Sequence, residues 1–465
     1  MVVLDWDGPD DPANPYNWSK GMRIYHTFIP AATALVCTTG SSIITPALAE
    51  IQRDLHVSRE VSLLPFVLYT LGLGAGPLLA GPSSENFGRR RVYQVGMTGF
   101  ALFTLGAGFS TNIASLTICR FFAGVFGSPG LSIGGGSLAD LWAPHERAIP
   151  WAVYVLSPFL GPAIGPVMGA YITLGESWRW TQWIMLFFVL AVLLPSFAMK
   201  ETYKAKILQQ RARRSGEESI EPQRTRRQAF HDFTTKILIR PLHMICTEPV
   251  VGLFTLYIAL NFGMLYAFFA AFPFVFAEAY GFGIGSTSLT FLGLGVGSMI
   301  GCASIILFTR VSSQRRMARA KETGQSTGSV PEERLYVAMV GSVCLPVSLF
   351  WFGWSVQERV HWICPVIAEA VYAYGNILVF SAATLYVNQV YGPLYAASAT
   401  AANSFARYTF GATIPLFIVQ MYTALGVGWA SSLLGFASLA MLPVPWVFYK
   451  FGPTLRARSS YISSP

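Results

Sequence analysis

Charged side chains are scarce in this 465-residue chain. Asp, Glu, Lys and Arg make up 12% of it, about half the roughly 25% usual in soluble domains, while 53% is hydrophobic. A soluble protein of this length needs a polar surface that long stretches here lack, which excludes a soluble enzyme. No GxxxxGKS or GxxxxGKT stretch occurs, so no loop is available to cradle ATP phosphates and an ATP-driven pump is disfavoured. No CxxC pair occurs either. Cys37, Cys119, Cys246, Cys302, Cys344 and Cys364 lie in or beside apolar runs and read as small hydrophobes rather than metal ligands or disulfides. His26, His56, His145, His231, His243 and His361 are scattered at run edges and loops, so no metal box of a membrane oxidase or desaturase is visible. Residues 1–19 contain four Asp and no Lys or Arg, unlike the basic start of a cleaved signal peptide, so this tail is expected to stay attached.

What the chain has instead is apolar runs. A helix crossing the hydrocarbon layer needs about 20 apolar residues. Nine runs meet that length without a charge or nearly so: 26–48, 61–81, 92–110, 149–174, 180–199, 249–277, 284–309, 335–357 and 427–449. Three more, 113–139, 362–388 and 396–424, carry one ionisable residue each, Arg120, Glu369 and Arg407. Buried helices of soluble proteins do not recur a dozen times at this length, so the sequence predicts an all-α membrane protein with twelve transmembrane helices.

The net charge of +9 sits between these runs rather than in one patch, so no nucleic-acid partner is expected. With the N-terminus in the cytoplasm, 26 of the 32 Lys and Arg fall on the inner side, and only Arg53, Arg59, Arg179 and Arg359 fall outside. The positive-inside rule therefore predicts cytoplasmic termini. The predicted segments are a cytoplasmic tail 1–25, a six-helix half 26–199, a basic cytoplasmic linker 200–248, a second half 249–449 and a cytoplasmic tail 450–465. An internal repeat supports two pseudo-symmetric halves. Leu71–Gly76 recurs as Leu292–Gly297 at an offset of 221, and at 249 Arg120 aligns with Glu369, Asp140 with Gln389 and Pro166 with Pro415. Paired halves with small-residue faces predict a rocker transporter whose site lies between them.

Several motifs resemble those of the major facilitator superfamily, and within it the fungal twelve-span drug:proton antiporters, over about residues 12–460. Gly81-Pro-Ser-Ser-Glu85-Asn86-Phe-Gly88-Arg89-Arg90 is similar to the loop 2–3 motif GxxxDRxGRR, with Glu85 in place of Asp and Asn86 in place of Arg. The resemblance implies a charge latch between the halves, with Asp140 as partner. Topological charge alone would also account for the arginines. Arg120-x-x-x-Gly124 is similar to the RxxxG motif linked to proton coupling, and Gly161-Pro162-Ala-Ile-Gly165-Pro166-Val-Met-Gly169 to the antiporter motif GPxxGPxxGG, with Ala170 replacing the last Gly. Glycines four apart bare one helix face for close packing and sliding, and prolines permit bending. Static bundles use such faces too. Asn14-Pro-Tyr-Asn-Trp18-Ser19, Trp178-Arg179-Trp180, Glu201-Thr202-Tyr203, Pro331-Glu-Glu-Arg-Leu335 and Ala396-Ala-Ser-Ala399 also fit the subgroup, whereas Tyr386-Val-Asn-Gln389-Val-Tyr391 lacks the acid common at that helix end.

The resemblance implies the major facilitator fold and export of amphipathic small molecules, such as drugs, toxins or secondary metabolites, in exchange for protons. The expected partners are the small-molecule substrate, protons and the lipid bilayer. The expected state is a monomer without cofactor or metal, in the plasma membrane. Proton-coupled uptake of a nutrient is the rival within transporters, and a sensor on the same fold the rival outside them. Tyr69, Asn261, Tyr266, Tyr372 and Asn376 are candidates for the cavity wall, although aromatics at helical spacing also fill packing positions. For coupling, Arg120 and Glu369 each lie about seven residues into runs that start on one side, roughly 10 Å deep at 1.5 Å per residue. Glu369 is the group able to titrate, with Arg407 as a second cation. A fixed structural ion pair would satisfy the same spacing.

Overall fold

The computed structural model describes residues 5–143, 146–215, 235, 240–323, 331–457 and 461. Among these residues the secondary structure is helical. The first half comprises span 1, Lys20–Ser42; span 2, Leu64–Phe87; span 3, Arg89–Gly108; span 4, running through Ile113–Gly127, Pro129–Ser132 and Gly134–Leu141; span 5, Ala148–Gly175; and span 6, Arg179–Ser196. The second begins with span 7, Pro249–Tyr280; span 8, Ile284–Thr290 continuing as Leu292–Thr323; and span 9, Leu335–Gln357. One helical run, Ile363–Met441, then holds the last three. Helical dihedrals break only at Gly392 (φ 59°) and Gly426 (φ 74°), giving span 10 (363–391), span 11 (393–425) and span 12 (427–441, extended by Val444–Ala457). Glycine alone takes such φ values without strain, so each reversal falls on one.

Local sequence sets the ends. Ser19 and Asn112 cap spans 1 and 4 by accepting from the backbone N–H groups of Met22 and Ser115, and Gly281, left-handed at φ 67°, ends span 7. Large apolar side chains such as Leu102, Phe109, Phe187 and Leu307 stand more than 60% exposed around the bundle, a belt that water would not tolerate and lipid does.

The repeat is visible in the packing, with one adjustment. Gly72 abuts the carbonyl of Phe121 and Gly76 the Ser128 side chain in span 4, where a Cβ would collide; Gly297 abuts the carbonyl of Ala370 and Gly301 the Ile377 side chain in span 10 in the same way. Phe121/Ala370 and Ser128/Ile377 keep the 249 register, but the glycines pair at 225, one helical turn from the 221 of the sequence match. A glycine pattern that repeats every turn slides by four residues without changing its appearance, whereas packing fixes which turn meets which. Between halves, span 2 meets span 11, with Gly74 under Tyr408, and span 5 meets span 8, with Gly295 under Ala163.

The linker holds more structure than a solvated loop. Residues Lys204–Ser215 and Arg240–Thr247 are helices, the first rich in strong helix formers. The acidic tail lies on it: Lys204 pairs with Asp5 at 2.6 Å, and Arg211 with Asp7 and Asp11 at 2.8 Å each. Arg211 holds the Asp11 carboxyl well below the usual carboxylate range. The linker residues 216–234 and 236–239, with His231, and Pro144 with His145, lie outside the described residues.

Candidate functional site

The face opposite the one that bears Asp5 and Ala457 opens into a vestibule. This cavity of about 430 Å³ is walled by Thr45, Gln52, Arg59, Ser62, Pro166, Phe269, Thr287, Phe291 and Val419, from both halves. Below it aromatic rings close the bundle: Phe269 meets Tyr266 edge-on at 5.2 Å, Tyr266 stacks over Phe66 at 5.9 Å, and Phe262 lies 4.6 Å from Tyr266 and 5.0 Å from Tyr408. The Tyr266 hydroxyl shares a 3.1 Å hydrogen bond with Ser41 of span 1, a polar bond across the halves.

Two guanidinium groups are buried in this layer. Arg120 donates to the Gly40 carbonyl at 2.6 Å and stacks 4.1 Å above Tyr69, whose hydroxyl donates to the Cys37 carbonyl at 2.7 Å. Arg407 lies between the rings of Phe262, Phe380 and Tyr408, at 4.8, 4.8 and 4.7 Å. The Nε of each is buried without a partner. Glu369 is 1% exposed, its carboxylate facing the backbone of Gly293 and Leu294, with neither oxygen completing a hydrogen bond. Arg120 over Tyr69 and Glu369 against Leu294 occupy equivalent places, 249 apart in spans 4 and 10 and 225 apart in spans 2 and 8. No ion pair joins Glu369, Arg120 and Arg407 among the described residues.

The predicted cavity residues divide into two groups. Tyr266 stands between the halves, against Ser41 and Phe66, whereas Tyr69 lies inside the first half among Cys37, Phe100 and Arg120. Asn261 and Tyr372 lie inside the second half, where the Tyr372 hydroxyl donates to the Asn261 carbonyl at 2.6 Å and its ring meets Phe268 at 5.2 Å. Asn376 is buried with its Nδ2 unpartnered, one turn before Phe380 on span 10. Sequence reasoning missed Ser41, Phe66, Phe262, Phe380 and Tyr408. Only Tyr408 carried a signal, as the neighbour of a charged residue in an apolar run.

The motifs tie helix ends together. Arg89 pairs with Asp140 at 3.2 Å and also donates to the Ser84 hydroxyl; both partners belong to the first half. Glu201 accepts from the backbone N–H groups of Arg89 at 2.8 Å and Arg90 at 3.3 Å, capping span 3 from outside the helix. Gly88 beneath it has φ 91°, and a Cβ there would strike the Glu201 carboxylate. Glu85 lies near Tyr203, whose phenol is pushed up by burial and further by the Glu85 charge. A Cβ at Gly81 would meet nothing. In the second half Arg334 donates to Gln389, the repeat mate of Asp140, at 3.2 Å. On the vestibule face, Trp178 and Arg179 both donate to Asp54 at 2.9 Å.

In span 5 a Cβ at Gly161, Gly165 or Gly169 would collide with Thr38, Ser42 or Ile43 of span 1, so the bare face is filled by span 1. Pro162 is buried in the same helix, and Pro166 lines the vestibule.

Two helical halves meeting at a buried polar centre, open on one face and belted with apolar side chains, define a membrane transporter. The chain belongs to the major facilitator superfamily: residues 31–415 match the model described as Major Facilitator Superfamily. It is 37% identical to Polyamine transporter 4 of Saccharomyces cerevisiae, over 98% of this chain and 73% of that one. It is also 37% identical to the citrinin biosynthesis cluster MFS transporter mrr1 of Monascus ruber, over 99% of this chain and 92% of that one. Among solved structures, the proton:xylose symporter XylE bound to 6-bromo-6-deoxy-D-glucose superposes with a TM-score of 0.67 at 14% identity, covering 93% of this chain and 96% of that chain, a likeness of fold. The protein is an integral membrane secondary transporter and not an enzyme.

Proposed function

We propose that this transporter exports amphipathic small molecules in exchange for protons, by alternating access. The observation that carries this reading is span 5, whose Gly161, Gly165 and Gly169 are filled by span 1 while its other side meets span 8 of the opposite half. A tightly seated helix at the junction of the halves transmits a rocking motion without deforming. Relatives described as transporters of the citrinin and ascochitine biosynthesis clusters support secondary metabolites as cargo.

With Lys and Arg concentrated on the face of the termini, that face is cytoplasmic and the vestibule opens outward. Residues 26–199 and 249–449 then rock as two bodies about the 200–248 linker, as a monomer in the plasma membrane. Arg89, Arg90, Glu85, Gly88 and Asp140 brace the inner ends of spans 2, 3 and 4 within the first half, so that it moves as one body, with Glu201 holding the span 3 backbone. Glu369 is the proton carrier, because it is a buried carboxylate in no ion pair among the described residues and, unlike the buried guanidinium groups, it is able to titrate. The test is direction-resolved flux with purified protein in sealed vesicles, across a panel of compounds under an imposed pH gradient. Cargo should move against the proton flow; movement with it would make the protein an uptake system.

A further inference from the structure

We infer that the centre of the bundle binds an organic anion, an amphipathic carboxylate or phenolate with an aromatic body, and that Arg407 is its counter-charge. This rests on the transport reading above and names its substrate class.

The argument begins from charge. Arginine stays protonated in any protein environment, so a buried guanidinium needs either a fixed partner or a visiting one. Arg120 has fixed contacts in the Gly40 carbonyl and the Tyr69 ring. Arg407, 5% exposed, donates no hydrogen bond and enters no ion pair among the described residues, and three ring faces lie against it. Rings satisfy the charge of a guanidinium in part but leave its planar fork of N–H donors unused, and that fork matches a carboxylate. The buried carboxylate of the layer does not neutralise it, since Glu369 faces the seam between spans 8 and 10.

Position agrees with charge. Arg407 touches residues of spans 7, 10 and 11, and two of its ring partners reach the other half, Phe380 meeting Phe159 of span 5 at 5.4 Å and Tyr408 lying over Gly74 of span 2, so it stands where the two halves converge. The route to it runs from the vestibule past Phe269, Tyr266 and Tyr408, rings that suit an aromatic body. Arg59 is the one charged residue lining the vestibule among the described residues. An anion therefore meets favourable charge at the mouth and at the centre, and an amine meets repulsion at both.

The experiment uses the full chain in lipid nanodiscs and three probes of one shape: 2-naphthoate, neutral 2-naphthamide and cationic 2-naphthylmethylammonium, titrated calorimetrically at neutral pH. Naphthoate should bind at least about ten-fold more tightly than the amide, as a buried charge pair requires. Arg407→Gln should abolish that preference while keeping the amide affinity, which also reports folding, and Arg407→Lys should restore part of it. Equal binding of naphthoate and amide, or tightest binding of the ammonium, overturns the inference, and the ranking by the unmutated chain decides even where a variant does not fold. The two readings fail separately. Proton-driven flux of neutral or cationic cargo with naphthoate ranked last would sink the anion site and leave transport standing; selective naphthoate binding without flux of any compound would do the reverse.

Discussion

Gly88 is the position with least freedom. Its φ of 91° and ψ of 161° lie where only glycine is comfortable, and the Glu201 carboxylate occupies the space a side chain would need. Gly88→Ala should therefore cost about 1–3 kcal/mol of backbone strain and detach the cap on span 3, lowering the melting temperature of the purified protein; an unchanged melting point would show that the cap adapts. Gly81, in the same motif, faces open space, so Gly81→Ala should leave stability and flux unaltered in the same assays. Glu369 makes a different demand. A charge near mid-membrane costs at least about 2.5–3.5 kcal/mol on the insertion scale, so an acid held there without a partner suggests a role that needs its proton. Glu369→Gln should abolish pH-driven flux yet keep cargo binding and downhill exchange; unchanged pH-driven flux would eliminate it as the carrier and turn attention to Asp140 and Glu85.

Span 5 shows what a motif contributes to an element. Gly165→Leu would insert a branched side chain where Ser42 of span 1 already sits, an overpacking that typically costs about 1–3 kcal/mol. The expected outcome is blocked transport with ligand binding still measurable, and full transport by Gly165→Leu would refute a tight interface. Helices of this kind were legible in the sequence because length and the absence of charge suffice to mark a span. Inward faces were not. Span 7 is buried on nearly every side, so its apolar pattern carries no amphipathic stripe to distinguish Tyr266, which meets Ser41 and Phe66 of the other half, from Phe262 and Asn261, which turn to their own. Ionisable residues stood out in their runs, and Arg120 and Arg407 are both buried, but what surrounds each depends on helix rotation that composition does not encode. The linker helix escaped notice for a related reason: its basic residues report topology and helix propensity at once, and the first reading masks the second.

For the whole molecule, the proposed orientation has a direct consequence at Asn17, which stands in the chain's N-x-S/T triplet just before span 1. On the cytoplasmic side it never meets the glycosylation machinery, so mass spectrometry of protein from the native host should find it unmodified; a glycan there would invert every span. The last three spans add a mechanical point. Each of their reversals is confined to a single glycine, Gly392 near the face of the termini and Gly426 near the vestibule. Long loops absorb displacement as slack, and these joints have almost none. A push on the vestibule end of span 11 is thus handed to its neighbours as in a folding ruler, whose segments turn about their pins but cannot drift apart. In the proposed rocking motion, the stroke of the second half is set by two pins rather than by the flexibility of its connections.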